Sequence, residues 1–101
     1  MGATDGLHFD TRHVDGPTVV TVTGELDSET GASLHDGVQA HATPHTRLCF
    51  DFAGVMFMDS TGLSALVRLR PLVRSIEVRN ASAPVRRVFH ITGVAKYLTI
   101  T

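Results

Sequence analysis

The chain has 101 residues, of which 43% are hydrophobic and 19% charged, with a net charge of -1, a balance that excludes a disordered or fibrous protein. A chain of this length buries roughly two-thirds of its unfolded surface in one core and is too short for two, so residues 1–101 are expected to form a single domain. No apolar run approaches the roughly 18 residues needed to cross a bilayer, and the N-terminus lacks the basic and apolar regions of a signal peptide, which predicts a cytoplasmic protein without a membrane partner.

Leu7 to Arg12 alternates loosely between apolar and polar residues, Asp15-Gly16-Pro17 breaks the run, and Thr18 to Val22 is β-branched throughout. The pattern predicts an opening hairpin. Gly24-Glu25-Leu26-Asp27 ends the second strand, and the Asp27 carboxylate is placed to accept hydrogen bonds from the free N–H groups of a helix starting at Ser28. Glu29 favours the positive end of that helix, in which Leu34 and Val38 repeat at four-residue spacing. Gly31 and Gly37 should weaken it by about 1 kcal/mol each relative to alanine, and it is expected to end near Thr43-Pro44. His41 and His45 invite a metal reading, but Pro44 breaks the helix that would align them and no cysteine or nearby acid completes a tetrahedral set. They are read as surface histidines, and no metal site is expected.

Arg47 to Phe52 is an apolar run of strand length, expected at the centre of a sheet with both faces covered. Cys49, the only cysteine, cannot close an internal disulfide and reads as a buried structural thiol between Leu48 and Phe50. Leu63, Leu66 and Val67 give one apolar face to a helix opened by Asp59 or Ser60, and Pro71 stops that helix within about three turns. Ile76-Glu77-Val78-Arg79 alternates as a strand does, Asn80 to Pro84 is a turn, and Val85 to Ile91 is a last helical segment closed by Gly93. Strands thus alternate with helices. That order predicts an α/β fold, a mixed sheet with helices packed largely against it.

Charge is distributed unevenly: residues 1–59 hold nine acids and two bases, whereas residues 60–101 hold one acid and seven bases. Such a split suits the orientation of a protein partner. Nucleic acid is not indicated, because Arg68, Arg70, Arg74, Arg79, Arg86 and Arg87 spread over several elements and Tyr97, the only tyrosine, is not interleaved with them as a stacking platform requires.

Three stretches, in order, carry a family resemblance: Gly24-Glu25-Leu26-Asp27, the run Asp51-Phe52-Ala53-Gly54-Val55-Met56-Phe57-Met58-Asp59-Ser60-Thr61-Gly62-Leu63, and Val85-Arg86-Arg87-Val88-Phe89-His90-Ile91-Thr92-Gly93-Val94. Together they resemble the landmarks of the anti-sigma-factor antagonists, small proteins built as a STAS domain, over nearly the whole chain. The resemblance implies a STAS-like α/β fold: a mixed four- to five-stranded β-sheet with helices packed largely on one face. It also implies a partner-switching protein that is not an enzyme and holds no cofactor. In that family the unphosphorylated antagonist binds an anti-sigma factor that is also a serine kinase, and so frees a sigma factor. ATP is used by the partner kinase, phosphorylation ends the interaction, and a phosphoserine phosphatase restores it. By position Ser60 matches the phosphorylated serine, and Thr61 lies where the family has a serine or threonine that is not the main acceptor. The chain departs from the family's pattern between Leu63 and Ile76, where helix, turn and strand share less room than usual. A monomer or weak dimer is expected; the alternative is a scaffold role, since STAS domains also occur in stressosome assemblies.

The residues themselves agree with a modification site. A hydroxyl at the first position of a helix lies beside N–H groups that lack intrahelical partners, and Asp59 supplies the cap. Around Ser60, the expected partner-binding residues are Glu25, Asp27, Met56, Phe57, Asp59, Thr61 and Gly62. At least one of Met56, Phe57 and Met58 must face the core in an alternating strand, with Met56 or Met58 favoured. A serine hydrolase is disfavoured, because Ser60 lacks the Gly-x-Ser-x-Gly context and His90 is the only histidine that the coarse topology brings near.

Overall fold

The computed structural model describes residues 2–4, 6–13 and 15–101. Among them, six strands form one sheet in chain order: β1 (Gly2–Thr4), β2 (Leu7–His13), β3 (Thr18–Leu26), β4 (Arg47–Met58), β5 (Ser75–Arg79) and β6 (Thr99–Ile100). The first two pairings are antiparallel, and β3 to β6 run parallel. Helix α1 (Ser28–Gln39) links β3 to β4, α2 (Ser60–Leu69) links β4 to β5, and α3 (Ala83–Ile91) leads from β5 towards β6. Parallel strands that lie side by side in chain order, joined by crossovers of one hand, must carry their helices on the same face. The packing of α1 on α2 and of α2 on α3 agrees. The mixed sheet and one-sided helical layer match the sequence expectation. The short edge strands β1 and β6 extend the sheet beyond the four to five strands expected, because segments of two or three residues carry no periodicity to read.

Alternation decides which side chains meet the helices. Val20, Val22, Leu48, Phe50, Phe52, Ile76 and Val78 project from the sheet into a core completed by Leu34 and Val38 of α1, Leu63, Leu66 and Leu69 of α2, and Val85 and Phe89 of α3. Phe50 and Phe52 have ring centroids 5.9 Å apart, and Phe52 reaches Phe89 at 6.3 Å. Tilted pairs of this kind contribute about 0.5–1.5 kcal/mol each beyond burial, and the Phe52–Phe89 pair ties α3 to β4.

The other face of the sheet stays open through exposed Thr21, Thr23, Ala53 and Arg79, so β4 is not covered on both sides as the apolar run suggested. Sequential strand order sends all the helices to one face and leaves none for the other. Cys49 lies on this open side, opposite Leu48 and Phe50, yet it is only 3% exposed. Val19 and Glu77 flank it across the sheet, with the Glu77–Arg79 ion pair alongside, and burial pushes its thiol above the ordinary range.

Helix α1 ends at Gln39, a turn before the expected Thr43-Pro44. Thr43 and Thr46 account for the difference: the Thr43 N–H donates to the Thr46 hydroxyl at 2.9 Å and the Thr46 N–H to the Thr43 carbonyl at 3.0 Å, a local closure that competes with continued helix. Helix α2 ends at Leu69, and Pro71 falls in the 3-10 turn Arg70–Leu72 that leads into β5. Gly31 and Gly37 are more than weak points in α1. A Cβ at Gly37 would sit 2.5 Å from the buried Phe9 ring, and one at Gly31 would lie 3.2 Å from Gly62 Cα. Helix α3 stops as expected, with Gly93 in the left-handed region at φ 76°.

Candidate functional site

Strands β3 and β4 end side by side, and α1 and α2 begin there, so two strand ends and two helix N-termini share one edge of the sheet. Each helix opens on an aspartate. The Asp27 carboxylate accepts from the Thr30 N–H at 2.9 Å and the Glu29 N–H at 3.0 Å, and Asp59 accepts from the Gly62 N–H at 2.9 Å. These bonds satisfy donors that the first turn of a helix leaves free. The Thr30 N–H and hydroxyl hold the Asp27 carboxyl below its usual range, and the Thr61 hydroxyl and the Gly62 N–H do the same for Asp59. Both are carboxylates at neutral pH, close enough for Asp59 to oppose part of the lowering at Asp27.

Two backbone contacts bind this edge into one body. The Asp59 N–H donates to the Leu26 carbonyl at 3.1 Å, and the Glu25 N–H donates to the Gly6 carbonyl at 2.7 Å. The second contact needs a glycine at position 24, where φ is 112° and a Cβ would fall 2.1 Å from the Gly6 carbonyl oxygen.

The end of β4 is irregular in a consequential way. Gly24 pairs with Val55 and Glu25 with Phe57, so Met56 has no partner on β3 and forms a bulge. Alternation is broken there. Val55 and Met58 are buried at 3% and 4% exposure, whereas Met56 and Phe57 both project outward at 82% and 50%. Met58 is therefore the inward methionine. The two outward side chains stand between Glu25, which faces Phe57 across the ladder, and Asp59.

Ser60 is the first residue of α2 and is exposed. Its neighbours' hydroxyls are engaged: Thr61 donates to the Asp59 carboxylate and Ser64 to the Thr61 carbonyl at 2.7 Å. The Ser60 hydroxyl has no hydrogen-bond partner among the described residues, and it shares that state on this edge with the exposed Ser28 at the start of α1.

A family model described as "Mlab, STAS domain" matches residues 9–100. The chain belongs to the STAS domain family. No curated protein matches significantly. Among solved structures, this STAS domain resembles an anti-sigma factor antagonist from Mycobacterium paratuberculosis at 28% identity and TM-score 0.81, over 99% of this chain and 89% of that one. It shares its fold with the anti-sigma factor antagonist SpoIIAA in its unphosphorylated form, at 23% identity and TM-score 0.71, over 93% of this chain and 88% of that one. The phosphorylated form of SpoIIAA, a Bacillus cell fate determinant, matches at 21% identity and TM-score 0.65, over 93% and 91% of the two chains.

In this STAS domain, Glu25, Asp27, Met56, Phe57, Asp59, Ser60 and Thr61 all come to the one edge, with every side chain at least partly exposed. Gly62 differs. It was expected among the contacts but is buried, and a Cβ there would lie 2.3 Å from the Leu26 carbonyl oxygen, so it sets the distance between α2 and the β3–α1 junction instead of meeting a partner. Thr30 was missed. Only 2% exposed, its hydroxyl donates to the Glu25 carbonyl at 2.8 Å and accepts from the Asp27 N–H at 2.9 Å. The Asp27-x-x-Thr30 spacing was the available signal, a capping box with threonine at its third position. His41 and His45 are exposed in the loop after α1, and no group of three metal-ligating side chains occurs among the described residues. His90 lies exposed on α3, beside Arg86 and Arg87, and makes no hydrogen bond to Ser60.

Proposed function

We propose that this STAS domain is an anti-sigma-factor antagonist in a partner-switching pathway, a binding module and not an enzyme. The observation that carries the reading is the exposed, uncommitted Ser60 hydroxyl at the first position of α2, next to Asp59 and the outward pair Met56 and Phe57. Unphosphorylated, the edge formed by Glu25, Asp27, Met56, Phe57, Asp59 and Thr61 binds an anti-sigma factor serine kinase in the cytoplasm and frees a sigma factor. The kinase transfers the γ-phosphoryl group of its ATP to Ser60; the domain needs no cofactor of its own.

Phosphorylation adds about -1.5 to -2 charge at pH 7 to an edge that already holds three carboxylates. The N-terminus of α2 accommodates part of that charge, so the fold persists. An interface formed around a neutral hydroxyl does not, because the phosphate and Asp59 would have to be desolvated together. A buried unpaired charge costs several kcal/mol, which lowers affinity by roughly two orders of magnitude or more. A phosphatase that removes the group restores binding without a large conformational change.

The test begins with pulldown of the kinase from the source cells and intact-mass measurement with ATP, which should show one added phosphate on Ser60. Ser60→Asp should then bind the kinase at least about a hundredfold more weakly than Ser60→Ala. Equal affinities of the two variants, or phosphate carried elsewhere, would overturn the reading.

A further inference from the structure

Away from the switch edge, the far end of α2 forms a second feature. The 3-10 turn Val94–Lys96 and the residues after it pack beside α2 and the Arg70–Leu72 turn, leaving a groove of about 290 Å³. Val67, Arg70, Pro71, Val94, Tyr97 and Leu98 line it. Leu98 is a buried floor at 6% exposure, while Val67 at 40% and Tyr97 at 64% form open walls. Arg70 fixes the shape, donating from Nε to the Tyr97 carbonyl and from Nη1 to the Val73 carbonyl, both at 3.2 Å.

The surroundings of the groove are cationic. Arg68 follows Val67 on α2, Arg74 follows Val73, and the Lys96 ammonium stands 6.0 Å from the Tyr97 ring centroid. The single acid in residues 60–101, Glu77, belongs to β5 on the open side of the sheet. An apolar slot with Arg70 in its wall, Lys96 beside Tyr97, and Arg68 and Arg74 next in the chain to Val67 and Val73 suits an apolar knob flanked by carboxylates. The chain itself carries one: Met56 and Phe57 protrude from the β4 bulge between Glu25, Asp27 and Asp59.

We propose that the Met56–Phe57 end of one copy docks into the Val67–Tyr97 groove of a second copy of this chain. The two surfaces are different patches of one molecule, so the contact is heterologous. A docked pair still presents one free knob and one free groove, and association continues head to tail instead of closing at a symmetric pair. Both surfaces are small, which puts the contact in the weak class. The proposal shares Met56 and Phe57 with the kinase-binding reading and makes the kinase and a second copy competitors for that end. It does not depend on the kinase, because the groove is used only in self-association.

Sedimentation velocity of the intact chain, from micromolar to millimolar concentration, tests it. At about 50 mM salt the mean mass should rise steadily with concentration, and at about 500 mM salt the association constant should fall roughly tenfold or more. Phe57→Asp, which removes the knob, and Val67→Glu, which puts a like charge against the incoming acids, should each stay monomeric alone. Mixed, they should form one dimer and nothing larger, since only one intact knob and one intact groove remain between them. Tyr97→Ala provides a second groove variant, and far-UV circular dichroism checks that every variant keeps the native fold. A wild-type chain that stays monomeric throughout, a closed dimer indifferent to all three substitutions, or a mixture that fails to pair would overturn the proposal. Failure here with a normal Ser60→Asp response would leave the kinase-binding reading standing, and the reverse result would separate them the other way.

Discussion

Gly62→Ala probes whether the switch edge is set by backbones in close approach. An added methyl would lie 2.3 Å from the Leu26 carbonyl oxygen, 2.5 Å from its carbonyl carbon and 3.0 Å from the Asp27 nitrogen. None of these atoms belongs to a flexible side chain, so relief requires α2 to move away from the β3–α1 junction. Helix propensity acts in the opposite direction, favouring alanine over glycine by about 1 kcal/mol. Forcing a methyl into a packed site costs about 1–3 kcal/mol, and losing the 3.1 Å bond from the Asp59 N–H to the Leu26 carbonyl adds about 1 kcal/mol. The balance is a net loss of about 1–3 kcal/mol, or roughly 5–15 °C in Tm for a domain of this size. Urea unfolding followed by circular dichroism should show a lower midpoint with an unchanged slope. Gly31→Ala is the comparison: its methyl would meet Gly62 Cα at 3.2 Å and Ala65 Cβ at 3.4 Å, contacts that ease with a few tenths of an ångström of movement. Propensity then offsets most of the strain, and the change should stay below about 1 kcal/mol. A neutral or stabilising Gly62→Ala, or a Gly31→Ala that costs more, would refute this account of the junction.

Met58→Ala should cost about 2–5 kcal/mol and Met56→Ala under about 0.5 kcal/mol, a contrast set by 4% against 82% exposure; equal losses in denaturant melts would disprove the bulge. Asp27 and Asp59 have lowered folded-state pKa values, so their contribution is present above the ordinary value of about 3.9 and is lost as pH falls through the lowered values. Asp59→Asn retains a capping oxygen but not the titration, and its stability should fall less steeply below about pH 4 than that of the parent. A curve parallel to the parent's would contradict the assignment. Cys49 should react with a disulfide reagent only as fast as the domain opens, because burial both shields the thiol and raises its pKa; immediate labelling in native buffer would count against its placement.

The element pattern and the caps were legible because they rest on local chemistry. Asp27 and Asp59 lie one residue before their helices, and the carboxylate at that position captures free N–H groups whatever the rest of the fold does. Ser60 was legible for the same reason. The β4 bulge was not: alternation predicts opposite faces for Met56 and Phe57, and only the shifted ladder against β3 turns both outward. Gly62 misled for a related reason, since nothing in its neighbours in sequence announces the Leu26 carbonyl that it faces.

The sequence alone therefore determined the order of the longer strands and the helices, which aspartates cap the first two helices, and that a serine opens the second, all consequences of interactions within a few residues. Tertiary structure decided which face of the sheet is covered, which of Met56 and Met58 is free to meet a partner, and that Gly62 packs while Thr61 occupies its hydroxyl on Asp59. Those outcomes depend on strand register and on the close approach of segments distant in the chain, and no local pattern encodes either.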